Sequence, residues 1–334
     1  MLAKSLSGDE IARELINTLS VDYGVKSENV IAIMHDCASA NKAAMRTLQV
    51  LYPAVLGIGC FSHTLNRVGE RFNVPHVNDF TTYWVSLFSH SFKAQAIWKQ
   101  QTGRTICGFS ATRWWSKWEV MNQILELFGD IEPFLKVPED FSGNTRTKLL
   151  EYFATPRIQH NLKVELAAVI DAGKPFVQAT YKLEGDGPVA VECYEIISSL
   201  SVSVRMENYP NVQAIAKSIA SGKADVQQRW MRYAKSCIKP ALDYYKEHLN
   251  ADLMSIPMKA FKAARLFSPL ILQKTKPECT ALTDLLAFPF ITKSTLAALK
   301  EEFPRFLEKQ FKIIAKVGRG CNQGFAMSTV FCSC

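Results

Sequence analysis

The stretch Asn29–Arg67, NVIAIMHDCASANKAAMRTLQVLYPAVLGIGCFSHTLNR, has the fewest ways to fold of any part of this chain. Val30–Met34 is a short apolar run rich in Ile and Val, the composition of a strand buried on both faces. It ends at His35-Asp36. Ala38–Tyr52 then places Ala38, Met45, Leu48 and Leu51 at helical spacing, with Ser39 and Asn41 near the start, where a cap is wanted. Pro53 stops that helix, Val55–Ile58 offers a second strand, and Cys60-Phe-Ser-His63 opens another helix. Strand, crossover helix and returning strand make a parallel βαβ unit. Such a unit brings Asp36, Cys60 and His63 to the carboxyl edge of one sheet, where open α/β folds place their chemistry.

Bulk properties set the bounds. The chain has 334 residues, 48% hydrophobic and 21% charged, the balance of a globular protein. No run approaches the roughly 20 apolar residues of a membrane span. The first residues, MLAKSLSGDEIARELI, lack the apolar core of a secretory signal, so a nuclear or cytoplasmic location is expected. Nine cysteines without a repeated C-x-x-C pattern read as reduced thiols. A net charge of +8 permits an acidic partner such as nucleic acid without demanding one.

Three domains are expected. Residues 1–135 read as an α/β head containing a helix over 11–19, the βαβ unit, one long aromatic helix over 77–101, an extended or strand-like 104–113, and a helix over 115–127. Residues 136–315 read as all-helical, with helices at 145–154, 158–171, 188–204, 210–219, 223–248, 257–266 and 292–314, and with Gly173-Lys-Pro175 and Pro240 among the separators. Residues 316–334 read as an irregular tail; Cys321, Cys332 and Cys334 in it lack zinc-ligand spacing and a nearby His.

Three motifs carry chemistry. Asp36, at a strand end, suits a hard divalent cation, although an Asp there also caps the next helix. Cys60 and His63 are too few for zinc, and a lone His in a first helical turn packs or caps more often than it reacts. His63 can still donate to a phosphate oxygen from the same edge. In Ser110–Trp118, SATRWWSKW, Arg113 and Lys117 supply cations and the tryptophans supply flat π surfaces, a mixture suited to a phosphate backbone and an unstacked base. Trp115 and Trp118 fit a buried helix face, which leaves Trp114 as the expected ligand contact. No P-loop, dinucleotide fingerprint or Ser-His-Asp arrangement points to a small-molecule substrate.

In order, D-C-A-S-A-N-K-A-A-M, C-F-S-H-T-L-N, a long aromatic helix and S-A-T-R-W-W-S resemble the hAT superfamily of DNA transposases. The resemblance is detailed over about residues 8–135. It implies part of an RNase H-like core, with residues 136–315 similar to the family's helical insertion. It implies that Asp36 is the second of three metal-binding acids for Mg²⁺ or Mn²⁺. Cys60 and His63 would lie beside the scissile phosphate, and Arg113-Trp114 would meet DNA, the Trp stacking on a flipped base. The family's first acid lies upstream of the helix at 9–20, and its third in an S-E-R-x-F-S segment with no counterpart here. One Asp and one His cannot clamp two ions about 3.5–4 Å apart, so strand transfer and stable metal binding are not expected of this chain alone. The leading expectation is a truncated transposase-like protein whose residual DNA binding, if any, runs through Arg113, Trp114 and Lys117, while an unpaired strand edge invites self-association. The alternative is a helical protein-interaction module that uses the aromatic helices at 77–101 and 223–248 and has no role with nucleic acid.

Overall fold

The computed structural model describes residues 6–36, 38–106, 108, 113–137, 143–186, 189–250, 255–268, 271–272, 277–288 and 290–320. Helix dominates them, with one small parallel sheet. The chain forms two compact units: Met1–Cys60 with Asp186–Glu195 and Asp252–Cys334, and Phe61–Gly185 with Ile196–Ala251. Each unit is assembled from segments distant in sequence.

In the first unit, α1 (Gly8–Ile16) opens with a reciprocal capping box: Glu10 N donates to Ser7 Oγ, and Ser7 N donates to Glu10 Oε2. Strand β1 (Ala32–His35), helix α2 (Ser39–Leu51) and strand β2 (Leu56–Gly59) form the expected βαβ unit, in a register that pairs Ala32 with Leu56 and His35 with Gly59. Ala12 of α1 packs with Ala44, Met45 and Leu48 of α2. The expectation of a strand buried on both faces fails for β1. Met34 is 67% exposed and Ile31 49%, because among the described residues β1 has a single strand neighbour. Apolar composition there reflects β-propensity, not burial. A second cluster joins α13 (Ile256–Ala264), a 3₁₀ segment (Cys279–Ala287) and α14 (Lys293–Gly320) through Ala263, Leu282, Leu285, Leu296, Phe303 and Leu307.

Among its described residues the second unit has helices as its regular elements. It holds α3 (Phe61–Glu70), α4 (Pro75–Ser89), α5 (Phe92–Thr102), α6 (Ser116–Glu126), α7 (Phe128–Leu135), α8 (Asn144–Glu151) and α9 (Pro156–Leu183), then part of α10 (Val189–Arg205), α11 (Pro210–Ala220) and α12 (Ala224–Tyr245). The long helix expected over 77–101 is two helices. Ser91 accepts from Ala94 N and starts α5 afresh, which ends at Gly103 with φ 71°. Its aromatics are core, as their spacing suggested: Trp84 meets Trp98 edge-to-face at 5.0 Å, and Phe88 stacks on Phe134 at 5.5 Å. Half-buried Tyr83 and Phe92, 89% exposed, are the exceptions. Of the extended segment expected at 104–113, Arg104–Ile106, Gly108 and Arg113 show no regular structure, and the remainder lies outside the described residues.

Helix α9 is the axis of this unit, with α3, α4, α6, α11 and α12 packed around it. Every residue from Val164 to Gly173 is buried, which a helix enclosed on all sides permits. Gly173-Lys-Pro175 does not separate two helices. Pro175 sits inside α9, and Gly173 serves packing: a Cβ there would stand 2.9 Å from Trp115 Cζ3 and 3.2 Å from Trp118 Cδ1. Pro240 likewise lies within α12. Flanking packing tolerates the one backbone bond each proline removes. The C-terminal tail after Gly320, with its three cysteines, lies outside the described residues.

Candidate functional site

Asp36 follows β1 directly, and its Oδ1 accepts from Ala38 N at 2.9 Å and from Asn41 Nδ2 at 2.7 Å. That geometry caps α2 from two residues upstream. Ala38, the residue at the cap position, makes no side-chain bond of its own. Cys60 extends the ladder beyond β2, its N–H donating to His35 O at 2.8 Å. Asp36 and Cys60 therefore stand at the carboxyl ends of adjacent parallel strands, as expected. His63 falls in the second unit, on the first turn of α3, where its Nε2 accepts from Arg67 Nε at 3.2 Å.

Among the described residues no group of three or more His, Cys, Asp and Glu side chains is placed to hold a metal ion. Asp36 already serves two donors. This donor set does not fit the two-metal site that the family resemblance implies.

The second and third motifs meet inside the second unit. Asn66 of α3 accepts from Trp114 N at 2.6 Å, and Leu65 O accepts from Trp115 Nε1 at 2.7 Å. Trp114 lies against Gly69, where an added Cβ would come 2.4 Å from Trp114 Cε3, and it stacks on Phe72 at 5.7 Å with 11° between planes. It is only 9% exposed. The expectation that Trp114 offers a ring to a base is corrected here: it is a packing residue, because a glycine one helical turn after Leu65 makes room for the indole. Trp115 is core, as anticipated, and Trp118 is half-buried with its indole N–H donating to Ile170 O at 3.3 Å. Arg113, just outside this packing, is exposed and ion-paired with Glu184. Lys117 is half-buried on α6. Ser110–Thr112 lie outside the described residues.

Two buried acids were passed over in the sequence reading. Glu165, fully buried on α9, accepts from His76 Nδ1 at 2.6 Å, Val77 N at 3.1 Å and Tyr233 Oη at 2.6 Å. Asp171, six residues on, accepts from Asn211 Nδ2 at 2.6 Å and Val212 N at 2.9 Å. Each caps a helix that begins Pro-(His/Asn)-Val: Pro75-His76-Val77 opens α4 and Pro210-Asn211-Val212 opens α11. In both, the residue before Pro makes no side-chain cap, so the third N–H takes its acceptor from α9 instead. Burial followed by the Glu165 charge pushes the Cys237 thiol up to about 12, and burial together with the Glu165 hydrogen bond drives the Tyr233 hydroxyl far up. Both therefore stay protonated, Tyr233 as a donor and Cys237 as an inert thiol. The signal in the sequence was two acids inside the apolar run VELAAVID, echoed by two Pro-x-Val starts.

No protein-family model, curated protein or solved structure matches this chain.

Proposed function

We propose that this is a hAT-transposase-like protein, carrying part of an RNase H-like core and its helical insertion, that binds DNA without performing strand transfer by itself. One observation carries the reading. Asp36 and Cys60 succeed the paired strand ends His35 and Gly59, and C-F-S-H-T-L-N then runs straight into a helix whose Asn66 holds Trp114. Two motifs singled out for their chemistry thus stand at strand ends and a helix start, and the third adjoins the second through Trp114, which supports the reading. Arg113 and Lys117 are the proposed phosphate contacts. Arg113 must exchange Glu184 for a phosphate, a small cost because exposed ion pairs contribute little.

The test is DNA binding by fluorescence anisotropy across a salt series on hairpin and single-stranded ends, with a cleavage assay in Mg²⁺ or Mn²⁺. Affinity is expected to fall steeply with salt, and Arg113→Ala and Lys117→Ala each to reduce the slope by about one. Cleavage is expected to be absent. Metal-dependent cutting that disappears in Asp36→Ala would overturn the second half of the proposal.

A second reading, a protein-interaction module, draws on different residues from those first expected. Phe80, Trp84, Phe88 and Trp98 of 77–101 and the apolar face of α12 are core, whereas Ile31, Met34, Val50 and Leu51 of the first unit are exposed. Absence of DNA binding even at low salt would leave this reading standing.

A further inference from the structure

The second unit contains a cavity of about 350 Å³ that neither the family resemblance nor the capping acids explain. It opens between α6, α9, the end of α10 and the turn leading into α11, within the size range of small-molecule sites, roughly 300–1,000 Å³. Four carboxamides line it: Asn211 donates to Asp171, while half-buried Asn122 and exposed Gln178 and Asn208 stand on the remaining wall. Tyr209 lines it too. That residue is only 8% exposed. Trp118 adds an apolar wall, and Lys174 adds an exposed cation.

We infer that this cavity binds a single nucleobase, with the sugar-phosphate directed toward Lys174. The chemistry is one of matching edges. A base edge alternates donors and acceptors, and a carboxamide presents both, so Asn and Gln side chains pair with it in ways a purely charged site cannot. An indole wall suits the flat apolar faces of a base. Burial, aided by the Glu207 and Asp171 charges, pushes the Tyr209 hydroxyl up to about 12, so it remains a donor at physiological pH. Asp171 is not free to recruit the ligand, since both its oxygens serve the α11 cap. Glu207, on the cavity wall, is held at φ 45°, a left-handed conformation costly for a residue with a Cβ. Such strain persists where the surroundings enforce it, and ligand sites are a common place to find it.

The same base chemistry reaches the cavity either as a free mononucleotide or as an unstacked base within a single strand. The experiment separates them: isothermal titration of the full chain with AMP, GMP, CMP and UMP at millimolar concentration in one arm, and with single-stranded homopolymer oligonucleotides in the other. Binding is expected in at least one arm, weakened about tenfold by Tyr209→Phe and by Asn122→Ala, each of which deletes one hydrogen-bonding group. Lys174→Ala, at an exposed position, is expected to weaken nucleotides while leaving the corresponding nucleosides unchanged. Oligonucleotide binding that is lost in Arg113→Ala yet undiminished in Tyr209→Phe would support the DNA-binding proposal and overturn the cavity as the place where the strand is held. The inference is overturned if neither arm binds, or if binding persists undiminished in Tyr209→Phe, Asn122→Ala and Lys174→Ala, provided each variant melts as the parent does.

Discussion

Asp36 in the first unit and Glu165 in the second perform the same task in opposite surroundings. Each is a carboxylate that accepts a backbone N–H at the start of a helix and a side-chain donor besides. Asp36 does this exposed, at the end of a strand with a single strand neighbour. Glu165 does it with no exposure at all, inside a helix surrounded by five others. The contrast shows that position in a motif and weight in the fold are independent. The acid that draws attention in sequence has water as an alternative partner. The acid hidden in an apolar helix has none, so its bonds are the ones the fold depends on.

The comparison breaks most plainly at Glu165. Glu165→Ala leaves the Val77 N–H, the Tyr233 hydroxyl and His76 without their shared acceptor, and a loss of about 3 kcal/mol or more is expected in urea unfolding. A loss under about 1 kcal/mol would mean that water enters the site, and the distinction from Asp36 would fail.

Asp171 lies between the extremes. Asp171→Ala is expected to cost about 1–2 kcal/mol, the upper range for a lost cap. It also carries a pH signature, because burial raises its carboxyl above 3.8 despite the opposing hydrogen bonds from Val212 and Asn211. Between 3.8 and that raised value the folded chain holds more protons than the unfolded one. Stability from this group is therefore fully present below 3.8 and falls as pH rises through the folded value. Asp171→Asn is expected to flatten that part of the stability curve, read as unfolding midpoints from pH 3 upward.

The smallest effect is at Asp36. Asp36→Ala is expected to cost about 1 kcal/mol, as an exposed cap does, with unchanged stability in added Mg²⁺ for parent and variant alike. Stabilisation of the parent by Mg²⁺, lost in Asp36→Ala, would give Asp36 a metal role and reverse the ranking.

Local pattern accounts for the part of the fold that was legible in advance. The βαβ unit was readable because strand, helix and strand follow each other within about 30 residues, each with its own period and stop. The helix start at Pro210 and the aromatic core of α4 and α5 were readable for the same reason. What misled was punctuation. Gly173 and Pro175 signal a break in isolation, yet in α9 the glycine accepts two tryptophans from α6 and its approach, so packing overrides the local preference. Ser91, an ordinary residue in a run of aromatics, supplied the break instead.

At the candidate sites the division is sharper. The sequence by itself determined that Asp36 would follow a strand, that Cys60 would follow its parallel neighbour, and that Arg113 would precede a tryptophan-rich helix. Only the tertiary structure decided that Trp114 is covered by Phe72 and Gly69, that Glu165 and Asp171 cap helices about 90 and 40 residues away in sequence, and that Asn122, Gln178 and Asn208 line one cavity with Tyr209. The reason is physical: a residue's backbone setting follows from its near neighbours, whereas burial and hydrogen-bond partnership are settled by whichever distant segment packs against it.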